Sequence, residues 1–240
     1  MRISSIFRNL AEASSDLPTA LKKLSKPSMV SFVICRNLKS FAESEQGKQI
    51  TKIIDVGANE GQFAFMARYS WPNAQIDCFE PDPSAFYGLK KNHGSDQRIS
   101  FHNCALGSQQ TELSLNLGET SAQNSILQEK GKNGQGTIIV PVETLDRIYS
   151  SLPSGVTLLK IDVQGYELEV LKGAKNLLSQ IKFVLLEISL ADLFEGGVEI
   201  DVIWQFIRNN GYKYHSIIDQ YRDPKTQRIL QMDVIFERKG

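Results

Sequence analysis

The stretch Ile53-Ile54-Asp55-Val56-Gly57-Ala58-Asn59-Glu60-Gly61 constrains the fold more than any other part of the chain. Its apolar opening reads as a buried strand that ends on a carboxylate and a glycine turn. Nineteen residues beyond Gly61, a second apolar run, Ile76-Asp77-Cys78-Phe79, ends on Glu80. A strand, a glycine turn and a second strand closing on an acid form a nucleotide-type site at the carboxyl edge of a parallel sheet. Gly57 and Gly61 stand four apart with no third glycine in register. Asn59 occupies the place where a dinucleotide fingerprint needs its second glycine, so that backbone can approach a pyrophosphate.

That turn suits S-adenosylmethionine, which has no phosphate to cradle. A nicotinamide dinucleotide on a similar sheet is the alternative, because an acid at Glu80 serves a ribose in either case. Glu80 is placed to receive both ribose hydroxyls, two acceptor oxygens matching two vicinal donors. Asp55 is placed to orient the turn through backbone N–H groups, and Gly57 and Gly61 to let cofactor lie against bare backbone. Asp82 and Pro83 read as the cap and first residue of a helix. Asn103, in Asn103-Cys104-Ala105-Leu106-Gly107, or its neighbouring backbone, is placed to read an adenine edge.

A second constellation is Leu158-Leu159-Lys160-Ile161-Asp162-Val163-Gln164-Gly165-Tyr166-Glu167. Lys160 and Asp162 interrupt a buried strand at period two and share a face. A buried charge needs a partner, and each can be the other's. Asp162 also falls where this strand meets the cofactor crevice, positioned to accept a hydroxyl proton or hold a cation. Glu187 repeats the situation one strand over, so Asp162 and Glu187 are expected side by side as base, clamp or divalent-metal ligands. His215 is a third candidate base. Glu167 lies near a helix N-terminus, where the dipole favours it. His93 and His102 read as surface and strand residues.

From residue 51 onward, strands and helices alternate, which predicts a mostly parallel sheet. Strands are expected over 52–56, 75–79, 99–104, 156–163 and 182–189, and helices over 62–69, 83–92, 166–178 and 198–210. Residues 112–117 and 137–142 alternate like antiparallel strands. The polar, glycine-rich segment between them, 118–136, reads as a mobile insertion or substrate loop. A closing hairpin is expected from 214–218 and 232–237. Residues 1–50 read as a helical extension of the 51–240 domain, with a helix starting at Pro18 and a second over 29–41, a pair covering one edge of the sheet. Residues 44–48 read as a linker.

Composition narrows the partners. The chain of 240 residues carries 27 basic and 27 acidic side chains, which argues against nucleic acid as the default partner. The first 50 residues carry a net +4 and the rest −4, so a basic N-terminal segment is compatible with a membrane surface. No run approaches the roughly 18 apolar residues of a transmembrane span, and no long apolar leader follows Arg2 and Arg8. Cys35, Cys78 and Cys104 have no paired spacing, so neither a zinc site nor a disulfide framework is expected, and a reducing, cytoplasmic compartment is.

At these residues the chain resembles the FkbM family of S-adenosylmethionine-dependent methyltransferases. The matching blocks run in order: Asp55 to Gly61, Phe79-Glu80-Pro81-Asp82-Pro83, Asn103 to Gly107, Thr144-Leu145-Asp146, Leu159 to Glu167, Val170-Leu171-Lys172-Gly173-Ala174 and Leu186-Glu187-Ile188. The resemblance implies a class I methyltransferase fold, α/β and Rossmann-like, with seven strands, one of them antiparallel near the C-terminus, and helices on both faces. It implies O-methylation of a sugar, glycan or natural-product hydroxyl. It carries cofactor roles onto Asp55, Gly57, Asn59, Gly61 and Glu80. Gln164 departs from the family, which usually has an acid there. A methyltransferase-like domain that binds without turnover is the non-enzymatic alternative.

Overall fold

The computed structural model describes residues 32–131 and 134–239. Its centre is β1 (Ile50–Val56), whose residues from Lys52 to Val56 are all buried. Ile53 and Ile54 point to opposite faces of the sheet and join two separate hydrophobic clusters. A strand can be apolar on both faces only if helices cover both, and they do. On the Ile53 side lie α1 (Phe32–Glu43), α2 (Gln62–Ser70) and α3 (Pro83–His93), through Leu38, Phe41, Phe63, Ala64 and Leu89. On the Ile54 side lie α5 (Glu167–Lys172) and α6 (Ile200–Asn209), through Leu168, Leu171, Ile203 and Ile207.

The remaining strands are β2 (Gln75–Phe79), β3 (Ile99–His102), β7 (Val156–Ile161), β8 (Phe183–Ser189), β9 (Tyr212–Arg222) and β10 (Ile229–Arg238). They form one seven-stranded sheet in the order β3-β2-β1-β7-β8-β10-β9. β3, β2, β1, β7 and β8 run parallel, and β10 is antiparallel to both β8 and β9. The chain leaves β1 toward β2 on one side and later returns to place β7 on the other. The carboxyl end of β1 is therefore a topological switch point, where ligands of open α/β sheets bind. A small second sheet pairs β6 (Thr137–Glu143) with β4 (Ala105–Leu106) and β5 (Thr111–Asn116). A four-residue helix, α4 (Leu145–Ile148), follows β6 with Thr144 as its cap.

Several boundaries differ from the sequence expectation for physical reasons. The third strand stops at His102, because Asn103 turns the chain and Ala105–Leu106 join the second sheet. The expected helix 166–178 breaks at Gly173, where a methyl group would lie 1.9 Å from the Gly107 carbonyl oxygen. The Asp146 carboxylate then accepts the N–H groups of Asn176 and Leu177 and opens a short 3₁₀ turn.

The N-terminal expectation changes most. α1 covers a face of the sheet, not an edge: Cys35, Leu38, Phe41 and Ala42 belong to the cluster that holds Ile53, Ile76 and Phe183. The 44–48 segment is a packed turn whose Gly47 carbonyl accepts the Trp71 indole N–H at 2.8 Å. The described part of the extension thus packs into the core beside Ile53, and the helix expected from Pro18 lies outside the described residues. Among the described residues, no helix is long and apolar enough to cross a membrane.

Candidate functional site

A cavity opens at the switch point. It is lined by Gly57 and Asn59 after β1, Glu80 after β2, Cys104 to Leu106 beyond β3, and Asp162, Glu187 and Asp233 from β7, β8 and β10. The turn after β1 is built around Gly57. Its φ is +76°, and a methyl group there would stand 1.9 Å from the Asp162 carbonyl oxygen. Only glycine lets the ends of β1 and β7 approach so closely. Gly61, with φ +94°, lacks a side chain for another reason: His93 and Leu89 of α3 fill the space, and the His93 ring contacts the Gly61 carbonyl at 2.9 Å. Bare backbone at Gly61 thus faces protein, whereas at Gly57 the residue also borders the cavity.

Glu80 ends β2 buried. One carboxylate oxygen accepts the Asn59 N–H at 2.8 Å and the other the Asp82 N–H at 2.9 Å. A carboxylate has about four acceptor positions, so each oxygen keeps one for a ligand donor. Burial pushes the Glu80 carboxyl up to about 7, with the two backbone amides pulling the other way. Asn59 has φ +49°, and its side-chain oxygen accepts the Ser121 hydroxyl at 2.7 Å. Asn103 is exposed and lies outside the cavity lining; its amide donates to the Glu80 and Pro81 carbonyls at 2.8 and 3.1 Å. It pins the loop that carries Glu80, and the neighbouring chain, Cys104 to Leu106, faces the cavity instead.

Asp55 is wholly buried beneath this floor, and no backbone N–H bonds to its side chain. Its partner is Lys160, with Nζ 3.2 Å from one oxygen. Lys160 also lies 3.5 Å from Asp162, donates to the Gly57 carbonyl at 3.0 Å and sits over the Phe63 ring. Burial works against the ammonium, but Asp55 and Asp162 outweigh it and hold Lys160 charged. Asp55 thus bears on the turn through Lys160, whose ammonium bonds the Gly57 carbonyl, rather than through backbone N–H groups.

Asp162 and Glu187 do meet, through a residue the sequence marks only as a family departure. Gln164, at φ +55°, donates its amide to Asp162 at 2.9 Å and to Glu187 at 2.6 Å. Burial raises the Glu187 carboxyl well above its usual range, and the Asp162 and Asp233 charges add to this. Glu167 is an internal brace: its carboxylate accepts the Val163 and Gly165 N–H groups at 3.2 and 3.0 Å and closes the turn around Gln164. Burial pushes it up to about 7.

Asp233 is the cavity carboxylate that sequence reasoning passed over. It pairs in register with Glu187 across β8 and β10. The signal was a lone acid inside the apolar run Ile229–Phe236, but its meaning depends on β10 inserting beside β8. His215 does not reach the cavity. It lies near the start of β9, four residues before Asp219, which pairs with Asp233. Its ring packs on Phe41 and Phe183, and its Nε2 faces Gln46 at 3.1 Å.

The 118–136 segment is tied down where it is described. Besides the Ser121 contact to Asn59, Asn124 donates to Asp82 at 2.9 Å and Ser125 to the Gln164 carbonyl at 2.6 Å. Farther on, Glu129 bridges to Phe194 and Lys130 pairs with Asp192. Among the described residues, no group of three or more His, Cys, Asp or Glu is arranged to hold a metal ion.

These residues fit S-adenosylmethionine. Glu80 offers two acceptors to a vicinal diol, and Gly57 leaves bare backbone on the cavity for the donor to lie against. A model of the methyltransferase FkbM domain matches residues 55–214. The chain is 30% identical over 166 residues to the 2-O-methyltransferase NoeI of Sinorhizobium fredii, covering 63% of this chain and 68% of that protein. It is 30% identical over 149 residues to the hexuronic acid methyltransferase AglP of Haloferax volcanii, covering 60% of this chain and 58% of the relative. Among solved structures, the magnesium protoporphyrin IX methyltransferase ChlM of Synechocystis PCC 6803, with S-adenosylmethionine bound, aligns with a TM-score of 0.50. That alignment covers 100% of this chain and 98% of the other at 10% identity, a likeness of fold alone. The domain match spans more than half of the sequence, and the protein belongs to the FkbM family of S-adenosylmethionine-dependent methyltransferases.

Proposed function

We propose that the enzyme transfers the methyl group to a hydroxyl of a sugar or glycan acceptor. The observation that carries this reading is the clustering of Asp162, Glu187 and Asp233 on the wall of the same cavity that Glu80 lines. Carboxylates accept hydrogen bonds from hydroxyls and can take a proton from one. The names of two relatives, a 2-O-methyltransferase and a hexuronic acid methyltransferase, support the acceptor class.

Bound S-adenosylmethionine supplies a methyl group already activated on a sulfonium, so the protein's task is alignment. Glu80 would hold the ribose, Gly57 and Asn59 would lie along the donor, and Cys104 to Leu106 would flank the adenine. The dinucleotide alternative is disfavoured by the turn itself, because Asn59 stands where a dinucleotide fingerprint needs its second glycine and Gly61 packs on His93 rather than on the cavity. A panel of oligosaccharides, with RNA beside them, tests the reading using methyl-labelled S-adenosylmethionine. Label on a sugar oxygen is expected. Label on RNA alone, or donor binding with no transfer, would overturn it.

A further inference from the structure

We propose that Asp233 takes the proton of the acceptor hydroxyl, the task the sequence suggests for Asp162. This rests on the O-methyl-transfer reading above. Asp162 is engaged at both oxygens: one accepts the Gln164 amide at 2.9 Å, and the other faces Lys160 at 3.5 Å. Glu187 already accepts the same Gln164 amide at 2.6 Å. Asp233 differs. It borders the cavity, and among the described residues no hydrogen bond or ion pair reaches its carboxylate. A partly buried carboxylate without a donor is an open acceptor position, which an incoming hydroxyl can fill.

The groups facing Asp233 set its basicity. Lys160 and Asp162 come from β7 and its turn, Glu187 from β8 and Asp219 from β9. Burial pushes the Asp233 carboxyl up to about 7, Asp162 and Asp219 push the same way, and Lys160 opposes them. A base near the working pH is the most effective in general-base catalysis. Gln164 serves as the positioning residue, bonding Asp162, whose charge bears on Asp233, to Glu187.

In the step, the acceptor oxygen bonds to the methyl carbon as the carbon–sulfur bond breaks, its electron pair remaining on sulfur. The hydroxyl proton passes to Asp233, which becomes the neutral acid and then releases the proton to water.

The test compares wild type with Asp233→Asn in pH–rate profiles on one acceptor, and titrates carboxyl-labelled aspartate by NMR in both. The variant is expected to lose roughly 100-fold or more in kcat. Donor affinity should be retained, and the acidic limb of the wild-type profile should disappear. In wild type, one aspartate carboxyl should titrate near 7, and that signal should be missing from the variant. Full turnover with an unchanged acidic limb would overturn the assignment. So would an Asp233 resonance that titrates with ordinary aspartates near about pH 4, which needs no acceptor and no variant. Failure of wild type to methylate any sugar would contradict the acceptor reading, and it is read in a separate experiment.

Discussion

Gly57 and Gly61 stand in one turn, yet a methyl group meets different obstacles at each. At Gly57 it meets a backbone carbonyl that is fixed between β1 and β7; at Gly61 it meets the His93 ring, a side chain that can rotate. Both positions have positive φ, which costs a non-glycine residue roughly 1–3 kcal/mol. Gly57→Ala is therefore expected to destabilise well beyond that range and to abolish donor binding. Gly61→Ala should stay near it and keep measurable binding. Urea unfolding and calorimetry check both variants, and equal losses would contradict the distinction. The residues that sequence made legible are charges lodged in apolar strands: Asp55, Glu80, Lys160, Asp162 and Glu187 all lie in or beneath the crevice. Asp233 carries the same mark, but nothing local says which strand it will face. His215 and Asn103 mislead for the converse reason. Each lies near a strand end in sequence, but the strand direction takes one to the far end and the turn sends the other outward.

At the scale of elements, the 118–136 segment is the least legible part. Its glycines and polar side chains predict a mobile loop, because composition cannot distinguish side chains bonded to water from side chains bonded to the protein. Ser121, Asn124 and Ser125 are of the second kind, each tied to a different loop of the cavity. A neutral hydrogen bond contributes about 0.5–1.5 kcal/mol net. Replacing all three residues with alanine is expected to weaken donor binding by roughly ten-fold or more. Calorimetric titration reads this directly, and unchanged affinity would show that the ties do not bear on the donor site. The helices and parallel strands, apart from the 166–178 helix that Gly173 breaks, follow the sequence to within a few residues. Their apolar runs are bounded by caps and glycines whose effect is local, as at Asp82, whose carboxylate accepts the Ser84 N–H.

Across the whole molecule, alternation of strand and helix beyond residue 51 was enough to predict a parallel sheet. What it could not predict was where α1 packs. An apolar helix face fits any exposed apolar surface, and only the finished sheet shows that α2 and α3 leave part of the Ile53 face for α1 to cover. Leu38, fully buried in that layer, makes the point testable. Leu38→Ala is expected to cost about 2–5 kcal/mol in urea unfolding, as for a central core leucine. A cost below about 1 kcal/mol would make α1 an accessory. With both faces covered, the sheet leaves a crevice lined by Glu80, Asp162, Glu187 and Asp233, in which we propose that Glu80 holds the donor and the other three carboxylates face the acceptor. Calorimetric titration of S-adenosylmethionine into wild type and Glu80→Ala tests that assignment most directly. Saturable binding to wild type is expected, with loss of roughly ten-fold or more in the variant, the effect of removing hydrogen bonds to a charged group. Equal affinity in the two proteins would contradict it.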